Sequence, residues 1–337
     1  MSRTAAPKAN GTAAEGEGTR VTGAARAPRA IVFAYHDVGV RCLRVLLDAG
    51  VEVPLVVTHA DAAGETIWFR SVASTAAEHG LRCVTPADPH EPALLAAARE
   101  AEPDFLFSFY YRQMLKPDWL QLPRRGAYNM HGSLLPHYRG RAPVNWAVIH
   151  GERETGATLH RMNEKPDNGP IVDQFAVPIL SDDTAHEVFG KVTVAAEIVL
   201  ARSLPGLLAG SAAERPQDLS QGGYFGGRRP EDGRIPAHAS AREIHNLVRA
   251  LAPPYPCAFL HLRGLRVFIE RTRPAEAPAG APGTGLRLLS DGAMLWLIAA
   301  DGSALQVLAA RGEGSTRPLD ARGFEALHAG GWLAADA

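Results

Sequence analysis

The chain has 337 residues, of which 46% are hydrophobic and 21% charged, and its formal net charge is -1 at pH 7. This length and composition are typical of a globular protein with room for two domains of ordinary size. The near-zero charge gives no broad attraction to nucleic acid or anionic lipid, so we expect a small-molecule partner and no nucleic acid.

The three cysteines, Cys42, Cys83 and Cys257, are far apart and form no Cys-x-x-Cys pair. This spacing indicates neither a disulfide framework nor a structural zinc site, and it fits a reduced compartment. No uninterrupted apolar stretch reaches the roughly 18 residues that a membrane span requires. We therefore expect a cytoplasmic protein without membrane insertion.

The first 28 residues are rich in Ala, Gly, Thr, Pro and Arg and contain almost no large apolar side chain. Such a segment cannot bury enough surface to offset its ordering entropy, so residues 1–28 are predicted to form a disordered tail. It lacks the apolar region of a secretory signal, and Glu15 and Glu17 argue against a transit peptide.

From Ala30 onward, short apolar runs alternate with segments of helical periodicity. The predicted strands are 31–35, 51–58, 81–85, 104–109 and 126–130, and the predicted helices are 40–49, 71–79 and 92–101. This alternation predicts a Rossmann-like α/β fold, with a doubly wound, mainly parallel sheet covered on both faces. The first strand-to-helix turn, residues 34–39, lacks the Gly-x-Gly-x-x-Gly pattern, which disfavours a nicotinamide-dependent dehydrogenase.

The pattern continues into the middle of the chain and changes near residue 210. A helix at 143–150, strands at 155–162 and 171–177, and a long helix at 184–208 are predicted. Residues 210–236 are rich in Gly, Arg, Pro and Gln, which is typical of a loop between domains.

After a predicted helix at 241–251, the chain turns to short strands separated by Gly and Pro. These strands are 257–262, 265–269, 286–289, 293–298 and 304–309, with a flexible loop expected at 273–284. They predict a smaller C-terminal domain that resembles a β-barrel. We expect a catalytic domain at 29–210, a linker at 211–240 and a C-terminal domain at 241–337.

The strand predicted at 126–130 delivers two polar side chains to the carboxyl edge of the sheet, where ligands of such sheets bind. Asn129 and His131 are two residues apart, so on a strand they point to the same side. An imidazole can relay a proton near neutral pH, and an amide N–H can hold the oxyanion of a tetrahedral intermediate. This pair predicts acyl transfer.

The nearest candidate carboxylate is Asp167, in a Pro-Asp-Asn-Gly turn. On the residues alone, turn capping by bonds to its own backbone is the favoured interpretation of Asp167. Ser133 does not lie in a Gly-x-Ser-x-Gly elbow, which disfavours a serine hydrolase. His131 and His137 with Asp167 match no metal-ligand spacing, so we expect no metal.

The segment from Asn129 to Pro136, followed by Arg139 and Gly140, resembles the signature of folate-dependent formyltransferases. These enzymes pass a formyl group from N10-formyltetrahydrofolate to an amine. Further stretches are similar to the formyltransferase domain of the bifunctional polymyxin-resistance enzymes: 32–37, 107–112, 131–143, 158–162, 225–232 and 252–259. That domain formylates UDP-4-amino-4-deoxy-L-arabinose for lipid A modification. The chain stops before the dehydrogenase/decarboxylase domain of those enzymes, so we expect the second activity to be absent.

The resemblance implies roles for individual residues. Asn129 would stabilise the tetrahedral intermediate, His131 would transfer protons, and Asp167 would favour the charged form of the imidazole, which replaces the turn-capping interpretation. The folate co-substrate would contact Gln113, Met114, Leu115, Arg141, Asn163, Glu164, Lys165, Pro166 and Asp167. The fixed guanidinium fork of Arg141 suits this role, because it is a permanently charged donor.

The resemblance leaves the acceptor amine open. UDP-4-amino-4-deoxy-L-arabinose is the first expectation, and another nucleotide-linked aminosugar is the nearest rival, because the three catalytic residues do not select the amine. Methionyl-tRNA formyltransferases share these residues and a C-terminal β domain, but a tRNA partner favours a basic surface. A folate-binding module without catalysis would not require all three residue types.

Overall fold

The computed structural model describes Met1 and residues 26–62, 64, 66–281, 285–327 and 332–336. The tail predicted at 1–28 therefore lies almost entirely outside the described residues, as do three residues of the predicted loop at 273–284. Within these described ranges the chain forms fifteen strands and eight α-helices.

Nine strands precede residue 226. They are β1 (Arg29–Ala34), β2 (Glu52–Val57), β3 (Cys83–Val84), β4 (Phe105–Phe109), β5 (Gly126–His131), β6 (Arg139–Gly140), β7 (Glu154–Arg161), β8 (Ile171–Pro178) and β9 (Tyr224–Phe225). Seven of them form one sheet in the order β3-β2-β1-β4-β5-β7-β8, whereas β6 and β9 form a separate parallel pair. Strands β1 to β5 pair in parallel, and β7 and β8 are antiparallel, which confirms the predicted Rossmann-like, mainly parallel sheet.

Eight α-helices accompany the strands in the described parts of the chain. They are α1 (His36–Asp48), α2 (Val72–Glu78), α3 (Pro92–Glu100), α4 (Pro117–Leu120), α5 (Pro143–Ile149), α6 (Ala185–Ala209), α7 (Ala241–Leu251) and α8 (Ala321–Leu327). The alternation of side chains along β1 explains how both faces of the sheet are covered. Val32 lies in the same cluster as residues of α1 and α6, whereas Phe33 lies in the cluster of α3 and α4 and meets Trp119 edge-on at 4.8 Å.

Helix α6 begins at a capping box formed by Thr184 and Glu187 and ends at Gly210, which has φ of 73°. Among the described helices, α6 is the one that is long and apolar enough to cross a membrane by length and composition. Val188, Val192 and others along its length are fully buried against the sheet and α1. This packing is that of a core helix.

Six further strands form the C-terminal sheet: β10 (Ala258–Leu262), β11 (Leu265–Ala275), β12 (Arg287–Ser290), β13 (Leu295–Ile298), β14 (Ala304–Gly312) and β15 (Trp332–Ala334). Their order is β10-β11-β14-β13-β12-β15, and every pair is antiparallel. Asp336 joins the two edges, because its N–H donates to the carbonyl of His261 and its carboxylate accepts from the N–H of Gly264. The predicted barrel-like sheet is confirmed.

Two details of this region differ from the prediction. Strand β11 continues to Ala275, because its last residues pair with β14, so the predicted loop at 273–284 begins as a strand. Strand β15 and helix α8 were not predicted, since β15 is three residues long and its pairing with β12 is not visible in local sequence.

Helix α7 connects the C-terminal sheet with the part of the chain that precedes residue 210. His245 lies with Nε2 3.1 Å from the carbonyl oxygen of Ser181, and Asn145 donates to the carbonyl of Ala250 at 2.8 Å. The buried Arg249 donates to the carbonyl of Asp183 at 3.1 Å. The division into domains at residues 211–240 stays a prediction.

His36 opens α1 directly after β1, with φ of 68°. Its ring stacks on Phe69 at 3.8 Å and meets Trp68 and Phe189 edge-on. Burial, with smaller contributions from Arg112 and His186, lowers the pKa of His36 from 6.5 to about 3. The folded protein thus keeps this ring neutral under mildly acidic conditions.

We expect His36 to make the fold less stable as the pH falls. The pKa of His36 is about 3 in the folded chain and 6.5 in an unfolded chain, so between these pH values the unfolded state binds one proton more than the folded state. The unfolding free energy therefore falls by at most about 1.4 kcal/mol for each pH unit of acidification. His36→Asn, which tolerates positive φ, should flatten the dependence of the unfolding free energy on pH in this window. Urea denaturation over this interval measures both slopes, and equal slopes would contradict the expectation.

Candidate active site

Strand β5 places Asn129 and His131 at the carboxyl edge of the sheet, as predicted. The strand extends one residue beyond the predicted end, because His131 pairs with Thr158 of β7. Asn129 is half-buried, and His131 is buried with 6% exposure. Both side chains start from a strand paired on both sides, which holds them in defined positions.

Two oxygen atoms flank the imidazole of His131. Its Nε2 lies 2.9 Å from the carbonyl oxygen of Tyr138, and its Nδ1 lies 3.5 Å from Oδ1 of Asp167. Tyr138 has φ of 56°, and its hydroxyl donates to Glu152 at 2.6 Å. The ring can therefore donate from either nitrogen.

Asp167 lies in the loop between β7 and β8 with φ of 56°. Its Oδ2 accepts from the N–H of Gly140 at 2.8 Å, and its carbonyl accepts from Gln217 at 2.9 Å. Burial acts to raise the pKa of Asp167, but the neighbouring His131 and His160 and the Gly140 N–H outweigh it and hold this pKa well below its usual range. The carboxyl group is thus ionised at any ordinary pH.

The structure therefore brings the three predicted catalytic residues together. Sequence reasoning missed a fourth member, His160 of β7, which lies directly opposite Asn129 in the register of the two strands. Its Nε2 is 3.1 Å from Nδ2 of Asn129 and 3.6 Å from Oδ1 of Asp167. The sequence shows a histidine inside a strand that is predicted to be buried. It does not show which strand pairs with it or in which register.

Tyr110 is a second residue beside the site that the sequence analysis did not single out. It follows β4 with φ of 60°, and its hydroxyl is buried without a hydrogen-bond partner in the described structure. Burial raises the pKa of Tyr110, so the hydroxyl keeps its proton. The hydroxyl packs against Gly132, where any side chain would collide with it. The glycine after His131 is thus required for this close approach.

Gly140 anchors Asp167 and supports a testable prediction. It has φ of 100°, and an added methyl group would collide with the carbonyl oxygen of Phe225 across the β6–β9 pair. We expect Gly140→Ala to lower the unfolding free energy by about 1–3 kcal/mol and to reduce activity, because the N–H that holds Asp167 would move.

Gly226→Ala is the matched control, because a methyl group there meets no atom within 4 Å. Urea denaturation and turnover of both variants would be measured together. If Gly140→Ala kept both its stability and its activity, the β6–β9 pair would not position the Asp167 carboxylate.

Comparison with known families identifies the family of this chain. Residues 41–204 match the family described as formyl transferase, and residues 228–324 match the family described as formyl transferase, C-terminal domain. The chain belongs to the formyl transferase family. The predicted enzyme class, a formyltransferase, is thereby confirmed.

Several solved structures share the fold of this formyltransferase. The N-formyltransferase from Helicobacter canadensis, in complex with folinic acid and dTDP-3-aminofucose, is 19% identical with a TM-score of 0.66 over 84% of this chain and 99% of its own. WlaRD, a sugar 3N-formyltransferase solved with dTDP and 5-N-formyl-THF, is 19% identical with a TM-score of 0.64 over 86% and 99% of the two chains. The methionyl-tRNA formyltransferase from Clostridium thermocellum is 14% identical with a TM-score of 0.52 over 74% and 94%.

The residues predicted to contact folate lie on two loops of the formyltransferase, except for Arg141, which follows β6. Gln113 and Met114 are exposed after β4, whereas Leu115 is buried. The side chain of Gln113 donates to the carbonyl of Ala87 at 3.1 Å. Arg141 donates to the carbonyl of Arg112 at 3.4 Å, which brings its guanidinium group to the start of this segment.

The second loop runs from Asn163 to Asp167. Asn163, Glu164 and Lys165 are exposed, and the Asn163 side chain accepts from the N–H of Lys165 at 3.0 Å. The loop thus has a solvent-facing tip, while Asp167 at its end is held beside His131. Within the described residues, no group of three His, Cys, Asp or Glu side chains is placed to hold a metal ion.

Proposed function

We propose that this formyltransferase transfers a formyl group from N10-formyltetrahydrofolate to the amine of a nucleotide-linked aminosugar. The observation that carries the proposal is the convergence of Asn129, His131 and Asp167 at the carboxyl edge of the sheet. The sugar N-formyltransferases of known structure, one with folinic acid and an aminosugar nucleotide bound, support the donor and the class of acceptor.

The proposed reaction is direct aminolysis. The neutral sugar amine attacks the formyl carbon of the donor and forms a tetrahedral intermediate with one oxyanion. The bond between this carbon and N10 then breaks, and the amine proton ends on N10, so no other reactant is needed. An N–H of Asn129 stabilises the oxyanion, which is the group that gains charge in this step.

His131 carries the proton from the amine toward N10. In this step Nε2 exchanges the Tyr138 carbonyl, 2.9 Å away, for the substrate amine and takes its proton, while Nδ1 stays beside the Asp167 carboxylate. The ionised Asp167 stabilises the positive charge that the ring acquires. Asn129, His131 and Asp167 thereby have separate roles in one step.

The chain also offers residues that fit the folate co-substrate. The segment from Gln113 to Leu115 and the loop from Asn163 to Asp167 provide exposed polar backbone groups, and Arg141 provides a charged donor beside the first of them. Irregular loops suit a pterin ring, because their backbone donors and acceptors are not all used in secondary structure.

UDP-4-amino-4-deoxy-L-arabinose is the first acceptor that we propose, on the resemblance of stretches such as 107–112 and 158–162. This acceptor would connect the protein to lipid A modification and polymyxin resistance. A net charge of -1 argues against initiator tRNA as the acceptor, because neutralising a nucleic-acid backbone requires a basic surface. We further propose that the enzyme acts in the cytoplasm without membrane insertion.

An acceptor panel tests the proposal. The full chain would be incubated with N10-formyltetrahydrofolate and, separately, with UDP-4-amino-4-deoxy-L-arabinose, dTDP-3-aminofucose and methionyl-tRNA. Mass spectrometry should show the added formyl group on an aminosugar nucleotide. Formylation of methionyl-tRNA alone would overturn the proposed acceptor class, and folate binding without formylation of any amine would overturn the proposed catalysis.

A further inference from the structure

A second buried imidazole lies behind the catalytic residues. His160 contacts Asn129 and Asp167 through Nε2, at 3.1 Å and 3.6 Å respectively, and is only 1% exposed. A side chain so deeply buried does not meet a substrate from solvent. Its contacts therefore act on the other residues of the site.

The main chain determines which nitrogen of His160 carries the hydrogen. Nδ1 lies 2.9 Å from the carbonyl oxygen of Arg161, and a carbonyl oxygen can only accept. Nδ1 is therefore the donor, and in the neutral ring Nε2 is an acceptor. The amide nitrogen of Asn129 lies at hydrogen-bond distance from Nε2 and donates to it.

This hydrogen bond selects one of two orientations of the Asn129 amide. Rotation by 180° would place Oδ1 where Nδ2 now lies, so that two acceptors would face each other. In the observed orientation one N–H is bound to His160, and the second N–H of the same nitrogen remains to donate. An oxyanion requires a donor, so the orientation decides whether Asn129 stabilises or repels it.

The pairing of β5 with β7 places Asn129 and His160 next to each other. Asn129 of β5 and His160 of β7 are direct partners in the antiparallel register, so their side chains leave the sheet on the same side. The carbonyl that fixes Nδ1 belongs to the next residue of β7, Arg161, which itself pairs with Tyr128. Both ring nitrogens of His160 thus have partners that belong to strands of the sheet.

We propose that His160 is a positioning residue that locks the Asn129 amide with an N–H directed to the tetrahedral intermediate. The inference rests on the proposed function, because attack on the formyl carbon of the donor is what gives Asn129 an oxyanion to bind. The competing account is that His160 carries a proton on Nε2 as well as on Nδ1. It would then act on Asp167, which lies 3.6 Å away and whose pKa it helps to lower.

The test is a double-mutant cycle. His160→Met removes the acceptor and keeps a large apolar side chain, whereas His160→Gln keeps an acceptor oxygen near the position of Nε2. Each change would be made alone, with Asn129→Ala, and with Asp167→Asn. The measurements are kcat and KM with N10-formyltetrahydrofolate and UDP-4-amino-4-deoxy-L-arabinose, donor hydrolysis by water, and binding of folinic acid.

We expect His160→Met to lower kcat by about 10- to 100-fold, part of the loss caused by removing an oxyanion donor, with KM and folinic acid binding unchanged. His160→Gln should restore most of kcat. In the Asn129→Ala background, His160→Met should cause no further loss, because the amide that it orients is absent. His160→Asn, which is too short to reach Asn129, replaces His160→Met if the latter does not fold.

Three results would overturn the inference. In the first, His160→Met lowers kcat by the same factor with Asn129 and with Asn129→Ala. In the second, the loss of kcat in His160→Met disappears only when Asp167→Asn is also present. In the third, His160→Met changes only KM or folinic acid binding. Each of them leaves the proposed function intact, because the wild-type protein would still turn over. Absence of both formyl transfer and donor hydrolysis in the wild-type protein would instead overturn the proposed function.

Discussion

Replacing His131 by alanine is expected to lower kcat by about 10²- to 10⁴-fold, the usual contribution of a positioned acid–base residue. The imidazole lies between the Tyr138 carbonyl and the Asp167 carboxylate. The transferred proton would then have to pass through water. Steady-state kinetics with N10-formyltetrahydrofolate and the best acceptor of the panel measures the loss.

His79→Ala is the matched control for this variant, because His79 is exposed at the end of α2 and lies outside the site. Circular dichroism and folinic acid binding should be unchanged in both proteins. If His131→Ala kept near wild-type turnover with intact folding, the proposed proton transfer by His131 would be wrong.

Asn129→Ala is expected to lower kcat by about 10²- to 10³-fold, as removal of one oxyanion donor does in other enzymes. The loss should fall on kcat rather than on KM, because the hydrogen bond forms with the intermediate and not with the bound substrates. Asn129→Asp should be at least as damaging, since it places a carboxylate beside the developing oxyanion and close to Asp167.

The control for these variants is a measurement of whether they keep the fold. Asn129 pairs through its backbone with His160, so a substitution that keeps the backbone should keep the fold. Unfolding free energies and folinic acid binding would be compared with the wild type. A rise in KM with unchanged kcat would show that Asn129 binds substrate and does not stabilise the intermediate.

Local pattern was sufficient for much of the architecture. The strand predicted at 126–130 is β5, and the long helix predicted at 184–208 is α6. The first is a short, mostly apolar run, and the second has apolar residues at helical spacing. Prediction was poorer where an element depends on a distant partner. The pair β6–β9, the extension of β11 and the three-residue β15 all exist through pairing with strands remote in the chain.

The sequence by itself determined the α/β class, the position of Asn129 and His131 at the end of a strand, and the resemblance that added Asp167. These follow from periodicity of two or 3.6 residues and from one contiguous motif, which are local properties. Only the tertiary structure decided that Gly140 anchors Asp167 and that His160 faces Asn129. The register between antiparallel strands and the path of a loop depend on contacts across the whole sheet, so no local pattern encodes them.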